Sequence, residues 1–340
     1  MSAAGVRQLV SNLICLVALT VAGPVVHATI FPYHGLYRIS LPDAGSVGAL
    51  AVDGRDVCVG QGDTVSLYAP TSAERIDHQH LDGTVRALTT VDGTIVVAVS
   101  DPSRLEFLAA RSLRVLRQRR LGAATPSELV YDSLARMLFI EYRTAHTVTR
   151  LDPQTGRALG SVRLVGALGQ MAANGRGTLY VVNSTHDAID VIGARRMNYE
   201  GAIPLQRCST PRALAMDTVG RRLFAACSNG RALIVDADLG FTFDRFPIQY
   251  GRDLRAAFAF RPLGPHGWKG GIFFVGGGAV SAIQMQSFVR YQAAGRFPLT
   301  RRVTAFAIAP PVGVLWLAVA PSGGKPAALW RLGTPVSEVR

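Results

Sequence analysis

The sequence predicts an all-β fold, a seven-bladed β-propeller of four-stranded antiparallel blades, on three observations. The first is a unit that recurs seven times. The residues Gly48, Arg86, Glu128, Gln170, Arg212, Arg255 and Thr304 each precede a short apolar run, at spacings of 38, 42, 42, 42, 43 and 49 residues. A four-strand unit of about 40–45 residues is the period of a propeller blade. The second is that a further apolar run aligns in every unit: Val57–Val59, Ile95–Val99, Met137–Ile140, Leu179–Val182, Leu223–Cys227, Ile272–Val275 and Leu315–Ala318. The third lies at the ends. Little chain follows Trp330–Leu332 to supply an outer strand to the seventh unit, while Leu36–Leu41 reads as a strand with no unit of its own. Pairing the two closes the ring and covers an edge.

The unit from Thr210 to Gly251 shows how the strands are read. Pro211–Asp217 is small and apolar, and Thr218–Gly220 turns. Leu223–Cys227 is apolar, Ser228–Gly230 turns, Ala232–Val235 follows, and after the Asp236–Gly240 turn Phe241–Ile248 alternates. Short runs bounded by Gly, Asn and Asp are strands rather than helices. Asp53, Asp92, Asp132 and Asp217 recur at the turn after each first strand, which marks turn chemistry rather than paired catalytic acids. Arg261–Gly271 is a Pro- and Gly-rich insertion in blade 6, expected as a loop on the bottom face.

Residues 1–28 read as a secretory signal and 29–340 as the propeller. Arg7 supplies the positive region, Leu13–Ala22 the apolar stretch, and Val26-His27-Ala28 the small-x-small cleavage site, with the cut after Ala28. The apolar stretch is short for a membrane span, and an uncleaved anchor is the competing reading. The expected product is a periplasmic or secreted monomer with no transmembrane span in the mature chain. Three cysteines follow the signal. Cys208 and Cys227 are near enough in the predicted topology to bridge, and the alternative is that all three, with Cys58, are small buried side chains.

Net charge is +13, and every basic residue except Lys269 and Lys325 is Arg. Such a surplus attracts polyanions. Hydrophobic content of 49% against 17% charged residues indicates a folded chain with ample core rather than a disordered one.

Leu179-Tyr180-Val181-Val182-Asn183-Ser184 resembles the YVTN propeller repeat, with Val182 where Thr is usual. The hairpin Leu151-Asp152-Pro153-Gln154-Thr155-Gly156 matches the Asp-x-x-Thr-Gly turn of those repeats. Leu223–Gly230, Val235–Gly240 and Phe246–Ile248 are similar to units of periplasmic YncE-like proteins, and the likeness is clearest over 125–250. The resemblance implies a periplasmic seven-bladed propeller and assigns it no single role.

The aligned register carries the sharpest functional expectation. Innermost strands line a propeller's channel, so residues at their starts ring its mouth. Arg86, Arg212 and Arg255 converging there fit a carboxylate or phosphate, with Glu128 and Gln170 beside them. Turns on the same face are expected to add Arg104, Tyr142, Arg143, His146, His186 and Arg252. The bland alternative is a solvated funnel in which Arg86 or Arg212 pairs with Glu128. A rival function is a lactonase-like hydrolase or lyase on this face, for which only Glu128, His146, His186 and Asp187 are at hand. A third is salt-sensitive nucleic-acid binding through Arg111, Arg114, Arg117, Arg119 and Arg120, a basic stretch that also serves as ordinary edge protection. His78 and His80 alternate on an outer strand without a third ligand nearby, so no metal site is expected. Gly276-Gly277-Gly278 precedes no helix, the three tryptophans lack a blade-repeated motif, and no Gly-x-Ser-x-Gly or His-Glu-x-x-His occurs. No cofactor is expected. The partner is left as an anionic small molecule, a polyanion or a protein.

Overall fold

The structure, a computed structural model, describes residues 36–332 except 43–44, 54–55, 70–73, 250, 252, 260–269, 288 and 310–313. Residues 1–28, read above as a secretory signal, Arg252 and most of the blade 6 insertion lie outside the described residues. Seven antiparallel sheets of four strands form the ring. Their innermost strands are Val47–Asp53, Thr84–Val91, Glu128–Asp132, Leu168–Ala173, Pro211–Asp217, Arg255–Ala259 and Val303–Ala309. The fourth strand of the seventh sheet is Leu36–Ser40, which pairs with Ala328–Leu332 from Leu36 opposite Leu332 to Ser40 opposite Ala328. The expected seven-bladed propeller and its closure by the N-terminal strand are both present.

The packing explains the run pattern. Seven hydrophobic clusters sit between neighbouring blades, so a second strand is covered on both faces and reads as continuously apolar. Phe273 and Val275 of blade 6 meet Leu315, Leu317 and Trp330 of blade 7, while Trp316 and Ala318 on the other face of blade 7 meet Val57 and Val59 of blade 1. Outermost strands such as Arg75–His80 and Ala158–Arg163 alternate between half-buried and exposed.

Hydrogen bonds give two of the recurrent aspartates, Asp132 and Asp217, the turn role expected of them, whereas the Asp92 carboxylate accepts from Tyr131 and Arg136 of blade 3. Asp132 Oδ1 accepts from the Leu134 and Ala135 amides, and Asp217 Oδ1 from those of Val219 and Gly220. The cysteine question is also resolved. Cys208 and Cys227 form a disulfide between blades 4 and 5, with Cα atoms 5.4 Å apart, and Cys58 is buried in blade 1.

The aligned starts of the innermost strands differ in one respect from the sequence register. In blades 1, 2, 5 and 7 the pairing skips Gly48, Arg86, Arg212 and Thr304, each an extra residue in a β-bulge. Blade 4 shifts across Gly169 and Gln170. In blades 3 and 6 the ladder is regular, and Glu128 and Arg255 pair with Glu141 and Val275. Glu128 and Arg255 therefore stand where the bulged blades have Ala49, Ala87, Ala213 and Ala305. Equal spacing hides this one-residue offset. Bulges bend a strand end and re-aim its side chain, so Arg86 and Arg212 are not held in a regular ladder as Glu128 and Arg255 are. At Gly48 a Cβ would lie 2.7 Å from the Val85 carbonyl oxygen, so blade 1 can approach blade 2 this closely only with glycine there.

Replacing Cys208 and Cys227 by Ala is expected to cost about 2–4 kcal/mol of unfolding free energy, because the bridge closes a loop of 19 residues. Urea unfolding with and without reductant checks this; reductant should lower the wild type to the level of the double variant and leave the variant unchanged.

Candidate functional site: an arginine-lined channel mouth

Two cavities share the channel. The outer one, of about 310 Å3, is bordered by the strand starts and by Arg143, Arg212, Arg255 and Arg302, with Asp253 as its acidic residue. The inner one, of about 220 Å3, follows further along the same strands and takes Arg86, Glu128 and Arg255. Gln170 borders both. Its Nε2 donates to the Ala256 carbonyl at 3.0 Å, and its Oε1 accepts from the Ala256 amide at 3.0 Å and the Leu214 amide at 3.3 Å. One blade 4 side chain thus reaches past blade 5 to the backbone of blade 6. Its amide is committed to that latch.

Arg86, Arg104, Arg136, Arg143, Arg221 and Arg222 each form an ion pair with a carboxylate. Arg212, Arg255 and Arg302 are not among them. The Arg212 Nε is buried and donates no hydrogen bond. Three guanidiniums therefore border the outer cavity without an ion pair among the described residues, although Arg255 also borders the inner one, where its charge acts on Glu128 and Glu141. Arg86 is engaged instead with Ser100, at 2.8 Å from Nε, and with Asp101 at 3.9 Å.

Glu128 pairs with neither Arg86 nor Arg212, the partners the funnel reading supplied. It faces Glu141 across the ladder, and Arg143 closes on both, at 3.6 Å to Glu128 Oε2 and 2.7 Å to Glu141 Oε2. Glu141 is fully buried, and Glu128 Oε2 and Glu141 Oε1 accept no hydrogen bond. Burial pushes Glu141 up from 4.5 to about 8, the Glu128 charge adds to this, and Arg143 and Arg255 oppose it. Burial likewise raises Glu128, against the pull of Arg143, Arg255 and the Met171 amide. Burial of two carboxylates side by side favours a shared proton, against the charges of Arg143 and Arg255.

The remaining residues expected at the mouth go elsewhere. Arg104 is buried inside blade 2, with its Nε 2.5 Å from Glu106 Oε1. Tyr142 packs against the core between blades 2 and 3, where burial raises its hydroxyl to about 12. His146 caps a short 3-10 turn, with Nδ1 2.5 Å from the Gly166 carbonyl oxygen. His186 borders a separate peripheral cavity between blades 3 and 4. A turn on the right face does not fix which way its side chains point. Of the basic stretch, Arg111, Arg114, Arg117, Arg119 and Arg120 are all exposed, and Arg117 lies over the Phe107 ring at 4.8 Å. His78 and His80 are exposed too, and His80 Nδ1 is 2.9 Å from Thr64 Oγ1. Among the described residues no three His, Cys, Asp or Glu side chains are grouped to hold a metal ion.

Three site residues were missed from sequence: Arg302, Asp253 and Glu141. Arg302 lies two positions before Thr304, outside the aligned register. Glu141 looked like any strand residue, yet its counterparts in the other blades are Gly60, Ala98, Val182, Ala226, Val275 and Ala318. A glutamate in a column otherwise small or apolar was the available signal.

No family model matches the chain, and no curated protein matches it. Solved structures do. A chain of a mitotic checkpoint complex is 13% identical with a TM-score of 0.71, over 97% of this chain and 99% of that one. The WD40 repeats of RRP9 are 8% identical with a TM-score of 0.72, over 88% and 97%. BamB from Moraxella catarrhalis is 13% identical with a TM-score of 0.56, over 88% and 99%. At these identities the likeness is one of fold. The chain is a seven-bladed β-propeller. No helix among its described residues is long and apolar enough to cross a membrane.

The Glu128–Glu141 pair makes stability pH-dependent. Glu141 has its folded-state value above its unfolded one, so its stabilising contribution is complete below about pH 4.5 and lost as pH rises through about 8. Glu141→Gln should flatten that slope. Urea midpoints across this range check it: the wild type should lose stability relative to the variant as pH rises, and parallel profiles would contradict the assignment.

Proposed function

We propose that this chain is an exported propeller acting as a binding module, and that its channel mouth holds a carboxylate or phosphate group. The observation that carries the reading is the outer cavity, where Arg212, Arg255 and Arg302 make no ion pair among the described residues and Asp253 is the acidic residue on the wall, while Arg143 is already engaged with Glu128 and Glu141. Guanidiniums presented from several blades satisfy an oxyanion by charge-assisted, bidentate hydrogen bonds. A buried Nε without an acceptor on Arg212 is a group that such a ligand would satisfy. Export is supported by the signal pattern of residues 1–28 and by the Cys208–Cys227 bridge, which suits an oxidising compartment. The YVTN-like residues of the repeats support a likeness to periplasmic YncE-like propellers. A mitotic checkpoint complex among the structural neighbours supports a role in binding or assembly for a fold of this shape.

The hydrolase or lyase reading has one observation in its favour, the Glu128–Glu141 pair beside the inner cavity. His146 and His186, which it needed as bases, border neither channel cavity.

Thermal-shift and calorimetric titrations with inorganic phosphate, citrate and a short single-stranded oligonucleotide, at low and high salt, test the proposal. Phosphate or citrate should stabilise the protein at both salt concentrations, and Arg212→Ala with Arg255→Ala should weaken that binding by about tenfold or more. A shift given only by the oligonucleotide, erased by salt and retained in the variant, would move the function to Arg111–Arg120.

A further inference from the structure

Blades 2 and 4 carry a carboxylate at the same place. Glu106 lies opposite Val97 and Asp190 opposite Val181 on hairpins of equal length, and both side chains face the preceding blade. Both are buried, at 0% and 4% exposure.

In blade 2 the chain supplies the donors itself. Arg104, two residues before Glu106, and Gln118, opposite it on the outer strand, both reach Glu106 Oε1, at 2.5 Å and 3.1 Å. In blade 4 both donor positions are alanine: Ala188 stands two residues before Asp190 and Ala202 opposite it. Asp190 keeps one hydrogen bond, from Asn183 Nδ2 to Oδ2 at 2.9 Å, and its Oδ1 accepts none among the described residues. Beside it is a cavity of about 280 Å3, walled by Leu164, Val165 and Tyr199. Removing a guanidinium and an amide from this position leaves a buried carboxylate on the wall of an open space. Burial raises Asp190 above the ordinary carboxylate range, and the Asn183 hydrogen bond and then the charge of His186 only oppose it.

We infer that the cavity between blades 3 and 4 is a binding site for a guanidinium or ammonium group from outside the chain, which docks on Asp190 as Arg104 docks on Glu106. Leaving a buried carboxylate without a cation is costly, and a ligand that brings one relieves that cost. Tyr199, half exposed, offers a ring face to the cation or its apolar body, and Leu164 and Val165 suit an aryl or alkyl body. Arg163 and His186 border the same cavity but are exposed, where solvent and salt screen their charge. The site is separate from the channel mouth and selects the opposite charge.

Calorimetric titration of the intact protein with benzamidine, N-acetylarginine amide and a capped arginine-containing peptide tests the inference. Benzamidine binding with no gain on going to the peptide identifies a small-molecule site; a peptide that binds more tightly than the capped amino acid identifies an arginine side chain of a partner. Asp190→Asn should weaken binding by about tenfold or more. Ala188→Arg should refill the position from within, raise the melting temperature and exclude benzamidine, and adding Asp190→Asn should cancel the thermal gain. Should Ala188→Arg fail to fold, the near-isosteric Asp190→Asn decides alone. Benzamidine affinity unchanged in a folded Asp190→Asn protein, or no binding of any of the three probes to the wild type, would overturn the assignment.

Discussion

Ring closure is the constraint from which the rest of this structure follows. Pairing Leu36–Ser40 with Ala328–Leu332 completes the seventh sheet and joins the first strand of the described chain to the last. Blade 7 presents apolar surface to both neighbours, Trp330 toward blade 6 and Trp316 toward blade 1, and the closing strand adds Ile39 and the following Leu41 to the blade 1 side. Seven wedges of apolar packing then push the innermost strands together around a narrow axis. Backbones meet closely enough there to exclude a Cβ at Gly48, and strand starts relieve the crowding by bulging outward from the ladder.

The same geometry concentrates charge. Arginines from blades 3, 5, 6 and 7 converge on one cavity with one carboxylate on its wall, and Gln170 separates that cavity from the inner one. The chain spends one mouth arginine, Arg143, on its own carboxyl pair and leaves the others to the cavity. Blades 2 and 4 show the two states of another buried acid, one satisfied from within the blade and one facing open space. Both contrasts concern whether a buried charge meets its counter-charge inside the chain or from outside it.

Repetition made the fold legible. Seven copies of one unit constrain one another, so the turn at Asp132 supports that at Asp217, and the surplus strand at Leu36 finds its place by elimination. The mouth was legible in part. Arg212 and Arg255 reach it because innermost strands line the axis in any such ring. Arg104, His146 and His186 do not, because hairpin ends share a face while their side chains point toward the core, the backbone or a flank. Glu141 escaped notice because strand propensity says nothing against a glutamate, and only comparison across the blades exposes it. The pairing of Cys208 with Cys227 needed the distance between two blades, which spacing along the chain does not give.

The most direct test of the central claim is anomalous diffraction from crystals soaked in selenate, collected at the selenium edge. The account predicts a selenium peak in the channel within hydrogen-bonding distance of Arg212, Arg255 and Arg302 guanidinium groups. Selenium found only along Arg111–Arg120 on the outer strand, with the channel free of anomalous density, would contradict it.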